Sequence, residues 1–269
     1  EVRFVGGCVR DALLDRPLRD VDLATDAVPE RVMDLLGAAG IRTVPTGLEH
    51  GTVTAVLDHR PFEITTLRRD VETDGRRAVV AFSTDWREDA ARRDFTMNAL
   101  SLAPDGSLYD YFGGVADARA GRVRFVGDPE RRIREDVLRL LRFFRFHAHY
   151  GRGAPDAEGY ATCARLAPLL PTLSAERVRA ELLRLLEAPD PASTWRLMAE
   201  AGVVKAILPE AVRIDRMAAV AATGPADPLL RLAAVVEGGR REALAVAERL
   251  RLSNAERDRL ALLREPPVA

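Results

Sequence analysis

The hydrophobic period of the chain changes near Gly127, and that change limits the possible folds more than any other feature. Before it, short apolar runs such as RFVGG and PFEITT alternate with helical stretches such as CVRDALLDR and PERVMDLLGAAG. After it, strand signals disappear and helical periods run to the end, broken by APD, PDPAS and TGPADP. The expected architecture is an α/β part followed by an all-helical part. Strands are expected in RFVGG, DVDLAT, HGTVTAVLD and PFEITTLR, with the turn DHRP between the last two. The segment RRDVETDGRRAVVAF, with scattered charge and a D-G turn, reads as a mobile loop leading into a strand. Helices are expected over 129–149, 156–167, 174–187, 191–201, 227–236 and 240–251.

Composition narrows the class. A chain of 269 residues, 47% hydrophobic and 30% charged, has enough apolar material for a sizeable core and more than one domain. No apolar run approaches the roughly 20 residues of a membrane helix. The first residues lack the apolar stretch of a signal peptide, so a soluble, cytoplasmic protein with no membrane partner is expected. Cys8 and Cys163 are too few and too far apart for a disulfide framework or a zinc site, and both are expected to be buried thiols. Every basic residue except Lys205 is Arg, yet the net charge is −1, so any nucleic-acid contact must rest on a local patch.

The strongest chemical signal is VGGCVRDALLDRPLRDVDLAT, residues 5–25. Asp20 and Asp22 alternate with Val21 and Leu23, which puts both carboxylates on one face of a strand. Two acids that close repel unless a cation lies between them, and oxygen-only ligands suit Mg²⁺, or Mn²⁺, better than zinc. Taken by itself, D-x-D reads as a solvated strand end before it reads as a metal site. Ahead of it, Gly6 and Gly7 let backbone N–H groups approach an anion at a helix start, and Arg10 lies one turn further on. A phosphate cradle beside a metal-binding strand is what nucleoside triphosphate chemistry requires. Glu63 on PFEIT is a candidate third carboxylate, with an exposed strand residue as the plain alternative.

These residues resemble the class II tRNA nucleotidyltransferases and bacterial poly(A) polymerases, whose first motif reads GG-x-VRD followed by D-x-D. Three further stretches resemble the family's later motifs in the same order: RRDFTMNAL (92–100), REDVLRLLRFFRF (134–146) and ERVRAELLRLL (176–186). The resemblance implies a palm-like α/β head over 1–118, a helical neck with a base-selecting helix over 119–187, and a helical body over 188–269 that is expected to be incomplete. It further implies a two-metal mechanism in which Asp20 and Asp22 are the catalytic ligands of two Mg²⁺ ions, that Gly7 and Arg10 contact the triphosphate, and that Arg93 binds nucleotide. The implied reaction is addition of CMP and AMP to the tRNA 3′ end without a nucleic-acid template, with CTP and ATP as substrates and no role for DNA.

The residues of the later motifs support a reading of their own. Arg93 and Asp94 set a cation beside an acceptor, a pair suited to both hydroxyls of a ribose; a surface ion pair is the alternative. In REDVLRLLRFFRFHAHYG, Asp136, Arg139, Arg142 and Arg145 step by three and form one thin polar stripe on an otherwise apolar helix. Such a stripe either lines a cleft, where these residues would contact nucleotide, or forms an ion-pair ladder. Cytosine and adenine both present an amino donor beside a ring-nitrogen acceptor. Asp136 accepting and Arg139 donating would admit these two bases and reject guanine and uracil. No histidine has metal-ligand spacing, His50 in HGTV reads as structural, and no side-chain nucleophile is assigned, because the terminal ribose hydroxyl would serve.

Within the family, the alternatives are a poly(A) polymerase and specialised CC-adding or A-adding enzymes. The near-neutral charge, without a Lys/Arg-rich tail, leans away from the first. The intact stretch Arg69–Phe82 leans away from a CC-only enzyme. A catalytically silent RNA-binding module should have lost a metal carboxylate or a base-reading residue, and all are present.

Overall fold

The computed structural model describes residues 1–265 except Arg19, Glu49, His50, Gly75 and Arg76; for Thr46, 70–74 and 77–80 it describes the backbone only. The chain divides into two compact units, Glu1–Asp128 and Pro129–Ala269. The expectation for His50 lies outside the described residues.

The first unit is built on a seven-stranded sheet in the order β3-β4-β5-β2-β1-β8-β9. Its strands are β1 (Val2–Val5), β2 (Asp22–Thr25), β3 (Arg42–Gly47), β4 (Thr52–Leu57), β5 (Arg60–Thr66), β8 (Leu100–Leu102) and β9 (Leu108–Asp110). β1 pairs antiparallel with β2 and β8, whereas β2 and β5 run parallel, with Asp22 opposite Glu63. Between these strands lie α1 (Gly7–Leu13), α2 (Pro29–Ala38), α3 (Trp86–Ala91) and α4 (Gly114–Ala120). Val53, Ala55 and Ile64 pack with Val32 of α2, and Cys8 and Val9 of α1 pack with Leu100. Arg3 is 5% exposed and braces β1, with its guanidinium 4.0 Å from the Trp86 ring and 3.5 Å from that of Tyr109.

The strand expected at the end of RRDVETDGRRAVVAF is present, and the stretch before it, expected as a mobile loop, is a strand as well, so the segment is a hairpin. β6 (Arg68–Asp74) and β7 (Arg77–Phe82) pair antiparallel as a two-stranded sheet of their own. Charge scattered along a sequence hides a strand, because no apolar period of two survives. Gly75 of the expected D-G turn falls outside the described residues. Three strands escaped the sequence reading: β3 contains Pro45, and β8 and β9 have three residues each, too short to show a period.

The second unit is helical throughout its described residues: α5 (Pro129–Glu135), α6 (Leu138–Tyr150), α7 (Ala157–Leu166), α8 (Ala175–Leu186), α9 (Pro191–Glu200), α10 (Val203–Ile207), α11 (Ile214–Thr223), α12 (Pro228–Val235), α13 (Arg240–Arg249) and α14 (Asn254–Leu262). The helix expected over 129–149 is two helices. At the break, Asp136 accepts a hydrogen bond from the Leu138 N–H at 3.1 Å, a local side-chain bond that replaces the helical one. α10, α11 and α14 were not anticipated. Residues 119–128, grouped with the neck by the sequence reading, pack in the first unit: the Phe125 and Phe95 rings lie 5.0 Å apart, and Arg124 Nε donates to the buried Asp117 at 2.8 Å. In the second unit, buried Arg231 donates to Ala188 O at 2.7 Å and to Leu186 O at 2.5 Å, satisfying carbonyls left open where α8 ends. No helix among the described residues is long and apolar enough to cross a membrane.

Candidate active site

The site begins at the glycine pair. Gly6 closes the ladder by donating to Leu100 O at 3.1 Å, then turns into α1 with φ of 72°. A Cβ at this position would lie 2.7 Å from Arg93 Nη1, so Gly6 is required both by its backbone angle and by the guanidinium against it. Gly7 differs: a Cβ there would meet Arg10 Nη2 at 3.6 Å, an ordinary contact, and the chain's own packing does not demand a glycine. The buried Cys8 thiol lies 3.3 Å from Val5 O and 3.8 Å from Asp22 O, fastening the first turn of α1 to the strand that carries the acid.

Asp22 is the first residue of β2, and Asp20 lies on the extended lead-in to it; both are exposed. Although Asp22 is exposed as a residue, nearby protein withdraws enough water from its carboxyl to push it above the usual carboxylate value. Arg93 pulls it down, and the charge of Asp20 pushes it further up. Asp20, Asp22 and Arg93 therefore share one electrostatic neighbourhood. Two oxygen-only carboxylates that repel each other in partial contact with water fit a hard divalent cation. Glu63 is exposed and stands opposite Asp22 in the parallel β2–β5 register; among the described residues no three acids, histidines or cysteines form a metal-binding group.

The two arginines of the head are firmly held. Arg10 is 6% exposed; its Nε and Nη2 donate to the two oxygens of Asp11, each at 2.9 Å, and Nη1 donates to Asn98 Oδ1 at 2.5 Å. Arg93 donates through Nη2 to Asp89 Oδ2 at 3.2 Å and through Nη1 to Asn98 O at 3.5 Å. Asp94 turns away from Arg93: its buried Oδ1 accepts from the Phe95 N–H at 2.8 Å and from Asn98 Nδ2 at 2.9 Å. The neighbours in sequence thus diverge, Arg93 toward the glycine turn and Asp94 into the short 3₁₀ turn Thr96–Asn98.

In the helical unit the thin stripe is paired along its length. Arg177 Nη2 donates to both oxygens of Asp136, at 2.9 and 2.8 Å. Arg139 Nη1 donates to Glu135 Oε2 at 2.7 Å and to Arg132 O at 3.0 Å. The Arg142 guanidinium lies 5.4 Å from the Phe146 ring, and that of Arg145 lies 4.6 Å from the same ring. Arg145 Nε also donates to Glu181 Oε2 at 2.5 Å, with the two side chains 15% and 5% exposed. Burial pulls the Arg145 guanidinium below its usual value, partly offset by Glu181. At Asp136 and Arg145 the stripe is an ion-pair ladder onto α8, where Arg177 and Glu181 stand four residues apart.

Sequence reasoning missed the groups that hold these residues. Asp89 precedes Arg92 and Arg93 by three and four residues, a spacing that signals ion pairing wherever helical geometry extends that far. Arg177 and Glu181 lie inside ERVRAEL, quoted for its pattern but given no role. Asn98, which joins Arg10 to Asp94, carried no periodic signal.

Residues 2–124 match the model of the family described as the poly A polymerase head domain, and residues 155–214 match one described as a probable RNA and SrmB-binding site of polymerase A. A CCA tRNA nucleotidyltransferase 1, mitochondrial, of Mus musculus is 48% identical over 192 residues, covering 69% of this chain and 44% of the relative. A CCA-adding enzyme of Geobacillus stearothermophilus is 42% identical over 203 residues, 74% of this chain and 49% of the relative. The chain spans about half the length of the curated relatives it matches. Among solved structures, a Bacillus stearothermophilus CCA-adding enzyme in complex with CTP superposes with a TM-score of 0.74 at 33% identity, over 97% of this chain and 62% of that one.

Proposed function

This chain belongs to the class II tRNA nucleotidyltransferase and bacterial poly(A) polymerase family, and from that premise we propose that it adds CMP and AMP to the 3′ end of tRNA. The observation that carries the proposal is the meeting of Arg93 with the Gly6 turn and the Asp20–Asp22 pair. A triphosphate there would face a guanidinium, the N–H groups of the first turn of α1, and two acids.

In the proposed reaction the tRNA 3′-hydroxyl oxygen forms a bond to the α-phosphorus of CTP or ATP. The α–β bridging bond breaks, and pyrophosphate leaves with the bridging oxygen. Asp20 and Asp22 would hold Mg²⁺, or Mn²⁺, which when bound offsets triphosphate charge and favours loss of the hydroxyl proton. Arg93 and Gly7 N–H donate to phosphate oxygens, with Arg10 fixing the turn from beneath through Asp11 and Asn98. Asp94 supports the sugar site indirectly through Asn98. In the helical unit Asp136 accepts from the amino group of C or A, and Arg139 donates to the ring nitrogen. Arg142 and Arg145 line the same helix face, and within this reading residues 129–187 act as neck and 188–269 as body.

A cytoplasmic setting belongs to the same proposal; the two free, buried cysteines suit a reducing compartment. The deciding experiment offers tRNA transcripts ending without a tail, in C, or in CC, each with labelled CTP or ATP. Ordered addition of C, C and A is the expected result. Long A tracts would mark a poly(A) polymerase, C addition alone or A addition alone would mark a specialised enzyme, and no incorporation would overturn the proposal.

A further inference from the structure

We propose that Asp89 is a positioning residue for nucleotide binding, seating the Arg93 guanidinium in the space that Gly6 leaves open beside Asp22. The inference rests on the reading above that Arg93 contacts the nucleotide.

Asp89 lies on α3, a short helix whose start is fixed by Asp85, the side chain of which accepts from the N–H groups of Arg87 and Glu88. It is 4% exposed and carries two guanidiniums on separate oxygens. Oδ1 accepts from Arg92 Nε at 2.8 Å, with Arg92 Nη2 at 2.7 Å; Oδ2 accepts from Arg93 Nη2 at 3.2 Å. The N–H of Arg68, at the foot of the β6–β7 hairpin, lies 3.4 Å from Oδ1. One arginine suffices to neutralise one buried carboxylate, and Arg92 does so with the closer contacts. The second ion pair therefore serves Arg93 rather than Asp89. It fixes one edge of a long, flexible side chain, while Asn98 O fixes the other. So held, Nη1 lies 2.7 Å from where the Cβ of a side chain at residue 6 would stand. Gly6 supplies the room and Asp89 supplies the direction.

The test is a double-mutant cycle read by titration calorimetry of the full chain with CTP and with ATP in Mg²⁺, alongside steady-state kinetics on tRNA ending in CC. Asp89→Asn should weaken both nucleotides by a similar factor of about tenfold, the effect of loosening one partner of a close charge pair, and raise KM more than it lowers kcat. In an Arg93→Ala background the same change should add no further loss. Arg92→Gln, which removes the other partner of the same carboxylate, should lower thermal stability while leaving KM near wild type. Should Asp89→Asn fail to fold, Asp89→Glu keeps the charge but lengthens the arm by a methylene, and it should raise KM several-fold with kcat held. Undiminished loss from Asp89→Asn in the Arg93→Ala background would overturn the inference and leave the role of Arg93 standing. Unchanged nucleotide affinity in Arg93→Ala itself would remove both.

Discussion

An alanine at residue 6 would meet two penalties at once, a left-handed backbone angle and a methyl group 2.7 Å from the Arg93 guanidinium. The backbone term costs about 1–3 kcal/mol; the steric term pushes Arg93 off Asp89. Gly6→Ala should therefore lower stability by a measurable but tolerable amount in urea denaturation and raise the KM for CTP far more. Gly7→Ala strains nothing in the chain. Its stability should match wild type, and any loss of CTP affinity there would report close approach of the nucleotide to that backbone. Asp89 adds a pH signature. Burial pushes its carboxyl up, but Arg92 and Arg93 outweigh that and hold it below the usual carboxylate value. A depressed folded value means stability that is present above the unfolded value of about 3.9 and is lost as the pH falls through the folded one. The melting temperature of Asp89→Asn should accordingly lie below wild type at neutral pH, and the gap should narrow below about pH 4.

At the scale of elements, α8 is held to α6 by Arg145 and Glu181, a pair with little access to water. Removing one partner of such a pair strands the other, which costs about 3–5 kcal/mol. Glu181→Ala should lose about that much in chemical denaturation, and Arg145→Met with Glu181→Leu should recover most of it. The β6–β7 hairpin forms a separate sheet, closed at its foot by the bond from Ser83 N to Leu67 O and tied to the rest of the head by Leu67 N to Thr25 O and Arg68 N to Asp89 Oδ1. Deleting residues 72–77 should therefore leave the melting temperature nearly unchanged, and by the proposed function spare C addition while impairing A addition; equal loss of both would assign the hairpin a structural role only. Legibility varied between elements for physical reasons. β1, β2, β4 and β5 are readable because each is a short run of apolar and β-branched residues bounded by turn residues or charge. α14 could have been found, since Ser253 and Glu256 form a capping box that the sequence shows openly. The break between α5 and α6 could not, because it depends on a side-chain bond from Asp136 rather than on any change of period.

Across the whole molecule the proposed roles separate by unit. Asp20, Asp22, Arg10 and Arg93 lie within residues 1–128, and Asp136 and Arg139 lie within 129–269. Motif residues are legible as a set because chemistry restricts their types, but their supports are less so: the i,i+4 spacings of Asp89 and Glu135 name a partner only where helical geometry runs that far, and Arg177 is distinguished only by what folding brings to it. That distinction decides how base choice must be tested. Exchanging the reading pair through Asp136→Arg and Arg139→Asp offers a donor where the amino group was and an acceptor where the ring nitrogen was, the pattern that guanine and uracil require. In this fold the exchange also sets a guanidinium against Arg177 and a carboxylate against Glu135, whose present partners lie at 2.8 Å and 2.7 Å. The double variant by itself should thus bind all four nucleotides poorly. Adding Arg177→Glu and Glu135→Gln restores an opposite charge behind the first position and removes the repulsion at the second. That quadruple variant should raise the use of UTP or GTP relative to CTP and ATP, with a discrimination of about 1–3 kcal/mol at stake, or roughly five- to a hundredfold in relative kcat/KM. A quadruple variant that folds, binds tRNA and still prefers C and A would show that the helical pair does not read the base.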